Sequence, residues 1–381
     1  MTTDNLTLAI LREALTGEKA VIDAASDRDK AEVFILSKKH DLAHMSGAVL
    51  LSRGGSLPDK LRAAFETEAG KALYRYTRLW GTFEKVKVLF EENGVDYLPL
   101  KGARLRHLYP KAEMRTSCDV DILVKENDLS RATALLEEKL GFQKDGETYH
   151  DVSLSLGEGI HLELHYNITE NDPRTDGLLS SVWEHARRVG ETHEYEMSPT
   201  YFAFHIISHA YSHFARGGCG IRALMDIWVL RHRTDFDGDG TRALCDSVGL
   251  LPFYEGFVAL SEAWFSGKEK DELSSLMQDF ILRGGIYGTR ENRINAGAGQ
   301  KKSRLRYALS RVFLPMRYLS LSYPILKKHP VLMPFYQVKR WFRIFFGSKR
   351  GSALAELSAT ATLDKGAKEA TMLLFDRLGL S

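Results

Sequence analysis

The sequence has little cysteine and lacks any long apolar stretch. Its three cysteines, Cys118, Cys219 and Cys245, are widely separated and have neither zinc-site spacing nor the even number of a disulfide framework. The first residues bring an acid at Asp4 and contain no apolar core typical of a signal peptide or an anchor. No uninterrupted apolar run is long enough to span a bilayer. We therefore expect a cytoplasmic protein without a transmembrane segment, with peripheral attachment at the inner membrane face as a further option.

One long segment lacks acidic residues altogether. Residues 292–355 contain 14 Lys or Arg residues and no Asp or Glu. The whole chain has a formal net charge of +2, so the other residues together carry a charge of −12. This asymmetry favours an anionic partner for the segment 292–355.

Within that segment, residues 331–346 form a predicted amphipathic helix. One face carries Phe335, Val338, Phe342 and Phe345, and the remaining arc carries Lys339, Arg340 and Arg343. Such a helix suits peripheral contact with an anionic membrane surface. Two other interpretations fit the same pattern: the aromatic face packs on the protein's own body, or the segment binds nucleic acid by charge and stacking.

The most informative stretch of the chain is a short apolar strand with two acids, Asp119 to Val124. Successive side chains of a strand point to opposite faces, so Asp119 and Asp121 share one face. Val120, Ile122 and Val124 line the other face. Adjacent carboxylates repel each other, and Asp is disfavoured inside strands. This pattern therefore predicts a divalent cation between the two carboxylates.

A second predicted strand offers a third carboxylate. Ile160, Leu162, Leu164 and Tyr166 alternate with His161, Glu163 and His165. The turn at Gly157–Gly159 predicts a β-hairpin whose apolar side packs on helices and whose polar side faces a cleft. If this strand lies beside the first one, Asp119, Asp121 and Glu163 converge. Three such carboxylates suit Mg²⁺, which keeps positions for water and substrate phosphates.

A candidate phosphate site precedes the acidic strand. Tyr97 to Leu100 reads as a short strand, and Lys101-Gly102-Ala103 turns into a helix predicted over Arg104–Tyr109. Glycine lets the backbone approach a ligand closely, and free N–H groups at a helix start attract anions. Lys101 and Arg115 would add cationic donors for phosphate oxygens.

The motifs KGARL, MRTSCDVDILV and HLELH occur in this order, and together they resemble the uncharacterised nucleotidyltransferases of the DNA polymerase β-like superfamily. The resemblance is best over about Asp96 to Asp226. It implies an α+β fold, with a small mixed β-sheet nucleotidyltransferase core embedded in a largely helical chain. It also implies that Asp119 and Asp121 are the metal-binding pair and Glu163 is the third acid. Gly102 stands at the nucleotide-binding glycine, but Ala103 replaces the Ser or Gly that often follows it.

The function expected from this resemblance is Mg²⁺-dependent transfer of a nucleoside monophosphate from a nucleoside triphosphate to an acceptor hydroxyl. Asp119, Asp121 and Glu163 would hold two Mg²⁺ ions, and Glu163 could instead act as a general base. Lys101, Gly102 and Arg115 would hold the phosphates. The acceptor can be a small molecule, a protein or RNA. The alternative is a catalytically inactive protein of the same fold that binds a membrane surface or a polyanion through its basic C-terminal segment.

Three histidines at i, i+4 and i+8, namely His205, His209 and His213, lie on one face of a predicted helix. They fit a transition-metal site, a wall of the nucleotide cleft, or a structural stripe. The resemblance favours the cleft wall and makes His209 a candidate nucleotide-binding residue.

The same patterns predict a division of the chain into four regions. These are an N-terminal helical region (1–94), the α/β nucleotidyltransferase core (95–198), a helical region closing the cleft (199–290) and a basic, aromatic-rich helical region (291–381).

Overall fold

The computed structural model describes residues 2–22, 24–53, 57–286, 288–289, 292–293, 296, 313–316, 319–320, 323, 325–346 and 365–380. The chain divides into two compact units. One comprises residues 1–212 and 220–274, and the other comprises residues 213–219 and 275–381. Much of the predicted basic segment 292–355, including 297–312 and 347–355, lies outside the described residues. The division into four regions stays a prediction.

Helices make up most of the described structure. In chain order they are α1 (Thr3–Thr16), α2 (Asp27–Lys39), α3 (Ala43–Ser52), α4 (Asp59–Glu92), α5 (Lys101–Leu105), α6 (Leu129–Leu140), α7 (Asp176–Leu179), α8 (Pro199–Ala215), α9 (Ile221–Arg233), α10 (Gly238–Ser247), α11 (Leu251–Phe265), α12 (Glu272–Gly284), α13 (Ile325–Lys328), α14 (Met333–Phe346) and α15 (Lys365–Arg377). Within the described ranges, no helix combines the length and the apolar character needed to cross a membrane.

A five-stranded mixed sheet forms the centre of the first unit. Its strands are β1 (Tyr97–Pro99), β2 (Asp119–Val124), β3 (Gln143–Glu147), β4 (Asp151–Ser155) and β5 (His161–His165). The spatial order is β1-β2-β5-β4-β3. Strands β2 and β5 are parallel, and the other neighbouring pairs are antiparallel. A separate two-stranded sheet pairs β6 (Ala186–Arg188) with β7 (Tyr195–Met197). The α+β fold expected from the sequence is confirmed.

The apolar face of the large sheet packs against α4 and α6. The shared core contains Phe83, Val86 and Phe90 from α4, Ala132 and Leu136 from α6, and Val120, Ile122, Val124, Leu162 and Leu164 from the strands. Burial of one such large apolar side chain stabilises the fold by about 1.5–3 kcal/mol. Because β2 and β5 alternate with period two, burying these residues turns the acids of both strands to the opposite face.

The predicted hairpin at Gly157–Gly159 is confirmed, since β4 and β5 pair antiparallel across it. The sequence did not predict β3, whose residues are all exposed and polar or glycine. The helix predicted over Arg104–Tyr109 differs in detail. Helix α5 begins at Lys101 and ends at Leu105, and a 3₁₀ turn continues over Arg106–Leu108.

Candidate active site

Two parallel strands bring the acidic residues together. In the register between β2 and β5, Asp119 pairs with His161, Asp121 with Glu163, and Leu123 with His165. Asp121 is buried, and Glu163 keeps about a third of its side chain exposed. The expectation that Glu163 lies on a strand next to the Asp119–Asp121 pair is therefore met by the structure.

His165 joins this group and was not identified from the sequence. Its Nε2 lies 3.2 Å from Asp121 Oδ1 and 3.4 Å from Glu163 Oε2. Among the described residues, Asp121, Glu163 and His165 offer metal-ligating atoms that all lie within 4.8 Å of one another. Asp119 lies beside this trio and is not a member of it. The buried Nδ1 of His165 has no hydrogen-bond partner in the described part of the chain.

The surroundings of Asp119 and Asp121 shift the pKa values of the two carboxyls in opposite directions. Burial, and then the charges of Asp121 and Glu163, raise the pKa of Asp119 to about 6. Burial also acts to raise the pKa of Asp121. The Lys101 ammonium and the hydrogen bond with His165 outweigh that effect and hold the pKa of Asp121 well below its usual value. The site therefore concentrates negative charge that a cation can neutralise.

Lys101 supplies the cation nearest to Asp121. Its Nζ donates a hydrogen bond to Asp121 Oδ1 at 3.0 Å. Lys101 stands at the turn from β1 into α5 with a φ of 35°, which is unusual for a residue with a side chain. The backbone N–H of Leu100 donates to the carbonyl oxygen of Asp121 at 3.0 Å, which ties this turn to β2. In this structure, Lys101 is thus a counter-ion of the acidic cluster.

The side chain of Arg115 leaves no room for a Cβ atom at position 102, which is therefore glycine. A Cβ atom at Gly102 would lie 2.5 Å from Nη1 of Arg115. The guanidinium of Arg115 is buried and donates two 3.0 Å hydrogen bonds to the carboxylate of Asp226, from Nε and from Nη2. Tyr109 donates a third bond to Asp226 Oδ1 at 2.7 Å. Two nitrogens of Arg115 are therefore committed to α9, and Nη1 faces the Gly102 turn.

His209 is paired with Glu170, an acid that was not identified from the sequence. Nδ1 of His209 lies 2.7 Å from Glu170 Oε1, and Ser212 donates to Glu170 Oε2 at 2.8 Å. The charge of Glu170 acts with that of Asp121 to raise the pKa of Lys101 against the effect of burial. Glu170 lies in the loop after β5, where no periodic pattern marks it.

His205, one turn before His209, is buried. Burial and the neighbouring Lys101 charge lower the pKa of His205 to about 3, so its ring is neutral. Its Nε2 has no hydrogen-bond partner among the residues that the structure describes. Within the same residues, the histidines of α8 form no cluster with metal-ligating geometry.

A pocket opens over the acidic strands. It is lined by Cys118, Asp119, Ser153, Leu154, His161, Leu162 and Glu163. Asp119 and Glu163 are the two acidic residues that line it.

Comparison with protein families supplies the context for this geometry. A family model described as uncharacterised nucleotidyltransferase matches residues 26–266, well over half of the chain. The chain belongs to this uncharacterised nucleotidyltransferase family. The family match is longer than the stretch from Asp96 to Asp226 that the sequence motifs indicated. It includes the large sheet, helices α8 and α9, and all seven candidate site residues. Neither the curated proteins nor the solved structures contain a match to this member of the nucleotidyltransferase family.

Proposed function

We propose that the protein transfers a nucleoside monophosphate from a nucleoside triphosphate to an acceptor hydroxyl, and that the reaction depends on Mg²⁺. The observation that carries this proposal is the parallel register of β2 and β5, which sets Asp121 opposite Glu163 with Asp119 beside them. Membership of the nucleotidyltransferase family supports the same reaction class. The proposed site residues are Asp119, Asp121 and Glu163 for the metal, with Lys101, Gly102, Arg115 and His209 for the nucleotide.

The donor set fits a divalent cation. Carboxylate oxygens are the ligands that Mg²⁺ prefers, and the His165 nitrogen also suits Mn²⁺. Asp121 and Glu163 would hold the ion together with His165. Asp119, two residues before Asp121 on the same strand, would hold a second ion with them. When bound, such ions neutralise charge on the phosphates and lower the pKa of the acceptor hydroxyl. Burial of Asp119 beside the charges of Asp121 and Glu163, which raises its pKa, also fits a site that binds cations.

The residues of the chain itself position the substrate. Lys101 would exchange its bond with Asp121 for a bond with a phosphate oxygen of the nucleotide. The same ammonium would then pair with Asp121 in the free protein and with the phosphate in the complex. The acceptor oxygen attacks the α-phosphorus, the bond to the bridging oxygen breaks, and pyrophosphate leaves. The acceptor proton would pass to Glu163 when this side chain serves as general base instead of metal ligand, because it is more exposed than Asp121 and can exchange with solvent.

The test is release of pyrophosphate from each of the four ribonucleoside triphosphates in the presence of Mg²⁺. Asp121→Asn should lower turnover by about 10²-fold or more, since it removes a charged ligand at the centre of the site. Asp145→Asn, an equivalent change on the exposed strand β3, should keep full turnover. Metal-dependent binding of a nucleotide should be measured on the same samples, because turnover also needs the acceptor. Absence of both turnover and nucleotide binding in the wild type would overturn the proposal and favour the inactive binding protein.

A further inference from the structure

Helix α14, in the second unit, exposes apolar side chains to solvent and buries an amide. Phe335, Val338 and Phe342 have relative exposures of 63%, 43% and 61%, whereas Gln337 is 5% exposed. A helix that packs on its own protein buries its aromatic residues and exposes its amides. In α14 this pattern is reversed for the described side chains, since Phe335, Val338 and Phe342 are exposed and Gln337 is buried. The side chain of Phe345, predicted for the same face, lies outside the described residues.

The exposed apolar residues form one continuous stripe. The 3₁₀ turn Pro330–Leu332 leads directly into α14 and adds Val331, which is 88% exposed, and Leu332 at 39%. Phe335, Val338 and Phe342 follow one another at i, i+3 and i+7, the spacing of a single helical face, and Val331 precedes them in the 3₁₀ turn. We call these four residues with Leu332 the apolar stripe.

The opposite side of α14 is held by polar and aromatic contacts. Gln337 Nε2 donates to the carbonyl oxygen of Leu314, and the ring of Tyr336 lies 4.7 Å from that of Tyr323. The Lys339 ammonium lies 5.6 Å from the centroid of the Tyr336 ring. These contacts keep the apolar stripe on the outer side of the helix.

The sequence segment that carries the stripe has charges of one sign only. Lys339 and Arg343 are exposed on α14 itself. Residues 292–355, which include the helix, carry 14 basic residues and no acid. An exposed apolar face with flanking cations is complementary to the anionic headgroups and acyl boundary of a membrane surface.

We propose that α14 attaches the protein to anionic phospholipid membranes, lying in the plane of the interface with the apolar stripe inserted. The aliphatic residues of the apolar stripe argue against nucleic acid as its binding partner. Val331, Leu332 and Val338 offer neither a stacking surface nor a hydrogen bond to a base, but they gain from transfer into acyl chains. Lys339 and Arg343 then face the lipid phosphates.

The experiment is flotation of the full-length protein with vesicles of phosphatidylcholine alone and of phosphatidylcholine mixed with phosphatidylglycerol. The wild type should float with the anionic vesicles and should dissociate at high salt. Phe335→Glu and Val338→Glu should each weaken partitioning by about tenfold or more. Lys339→Gln combined with Arg343→Gln should weaken binding to anionic vesicles and reduce its salt dependence.

The matched control is Val88→Glu, which places the same charge at a valine of α4 that is 56% exposed. This variant should float as the wild type does. Equal loss in Val88→Glu, or no flotation of the wild type, would overturn the proposal. Two further results would also overturn it: Phe335→Glu abolishes RNA binding while flotation is unchanged, or Phe335→Glu converts a dimer to a monomer while flotation is unchanged.

Discussion

At the scale of single residues, the contact between Gly102 and Arg115 gives the first prediction. Gly102→Ala places a methyl group 2.5 Å from Arg115 Nη1, and the guanidinium cannot move aside without losing its paired bonds to Asp226. We expect the free energy of unfolding to fall by about 1–3 kcal/mol, the usual cost of overpacking a buried site. Chemical denaturation of both proteins measures the difference.

Gly81→Ala is the control for this prediction. Gly81 lies within α4, and a Cβ atom there meets nothing within 4 Å among the described residues. Alanine is the better helix former, so this variant should be unchanged or more stable by up to about 1 kcal/mol. Equal stability of the Gly102→Ala protein and the wild type would show that Arg115 is free to move.

The sequence identified some site residues and missed others for physical reasons. Asp119 and Asp121 stand out because acids are disfavoured inside strands. His165 shares a strand face with His161, and alternation cannot say that the first is buried on Asp121 while the second is exposed. The partner of Arg115, Asp226, lies 111 residues away in the chain, a distance that local patterns do not bridge.

At the scale of elements, the strands with a buried face were predictable and the others were not. The alternation of Asp119–Val124 and of Ile160–Tyr166 has period two because one side of each strand lies on helices. Strand β3 has no buried face, since all its residues are exposed, so its sequence carries no such pattern. The parallel pairing of β2 with β5 is a long-range contact that the motifs do not predict. From the sequence, the acids converge only if these two strands are neighbours.

Burial of Asp119 beside Asp121 and Glu163 makes the stability of the protein depend on pH. In the folded protein Asp119 releases its proton near pH 6, whereas its usual pKa is 3.8. Between these values Asp119 binds more proton in the folded state than in the unfolded state, so its contribution to the free energy of unfolding falls as the pH rises. The contribution is fully lost above about pH 6. Asp119→Asn removes the titrating group and should reduce this fall by about 1–3 kcal/mol.

Chemical denaturation at several pH values, in the presence of a chelator, measures this effect. Asp145→Asn on β3 should keep the pH dependence of the wild type, because its side chain lies outside the crowded cluster. An Asp119→Asn protein whose stability changes with pH as the wild type does would refute the role of carboxylate crowding. At neutral pH, the same variant should be more stable than the wild type and inactive, since the repulsion it removes belongs to the proposed metal site.

At the scale of the whole molecule, binding of metal and nucleotide should be coupled through Lys101. A cation that approaches Asp121 must compete with the ammonium 3.0 Å away, and a triphosphate gives that ammonium a new partner. We therefore expect Mg²⁺ and a nucleoside triphosphate together to raise the melting temperature by more than the sum of their separate effects. A ligand at a hundredfold excess over its Kd stabilises the folded state by about 2.7 kcal/mol.

Thermal melts with each ligand alone and with both test this coupling, and a chelator should reverse the effect of the metal. Lys101→Met removes the competing ammonium, so Mg²⁺ alone should stabilise that variant more than it stabilises the wild type. Asp121→Asn should respond to neither combination, whereas Asp145→Asn should respond as the wild type does. Additive shifts in the wild type, together with an unchanged response of Lys101→Met to Mg²⁺, would mean that the bond between Lys101 and Asp121 persists when the ligands bind. Lys101 would then hold the acidic strand in place and would not contact the phosphates.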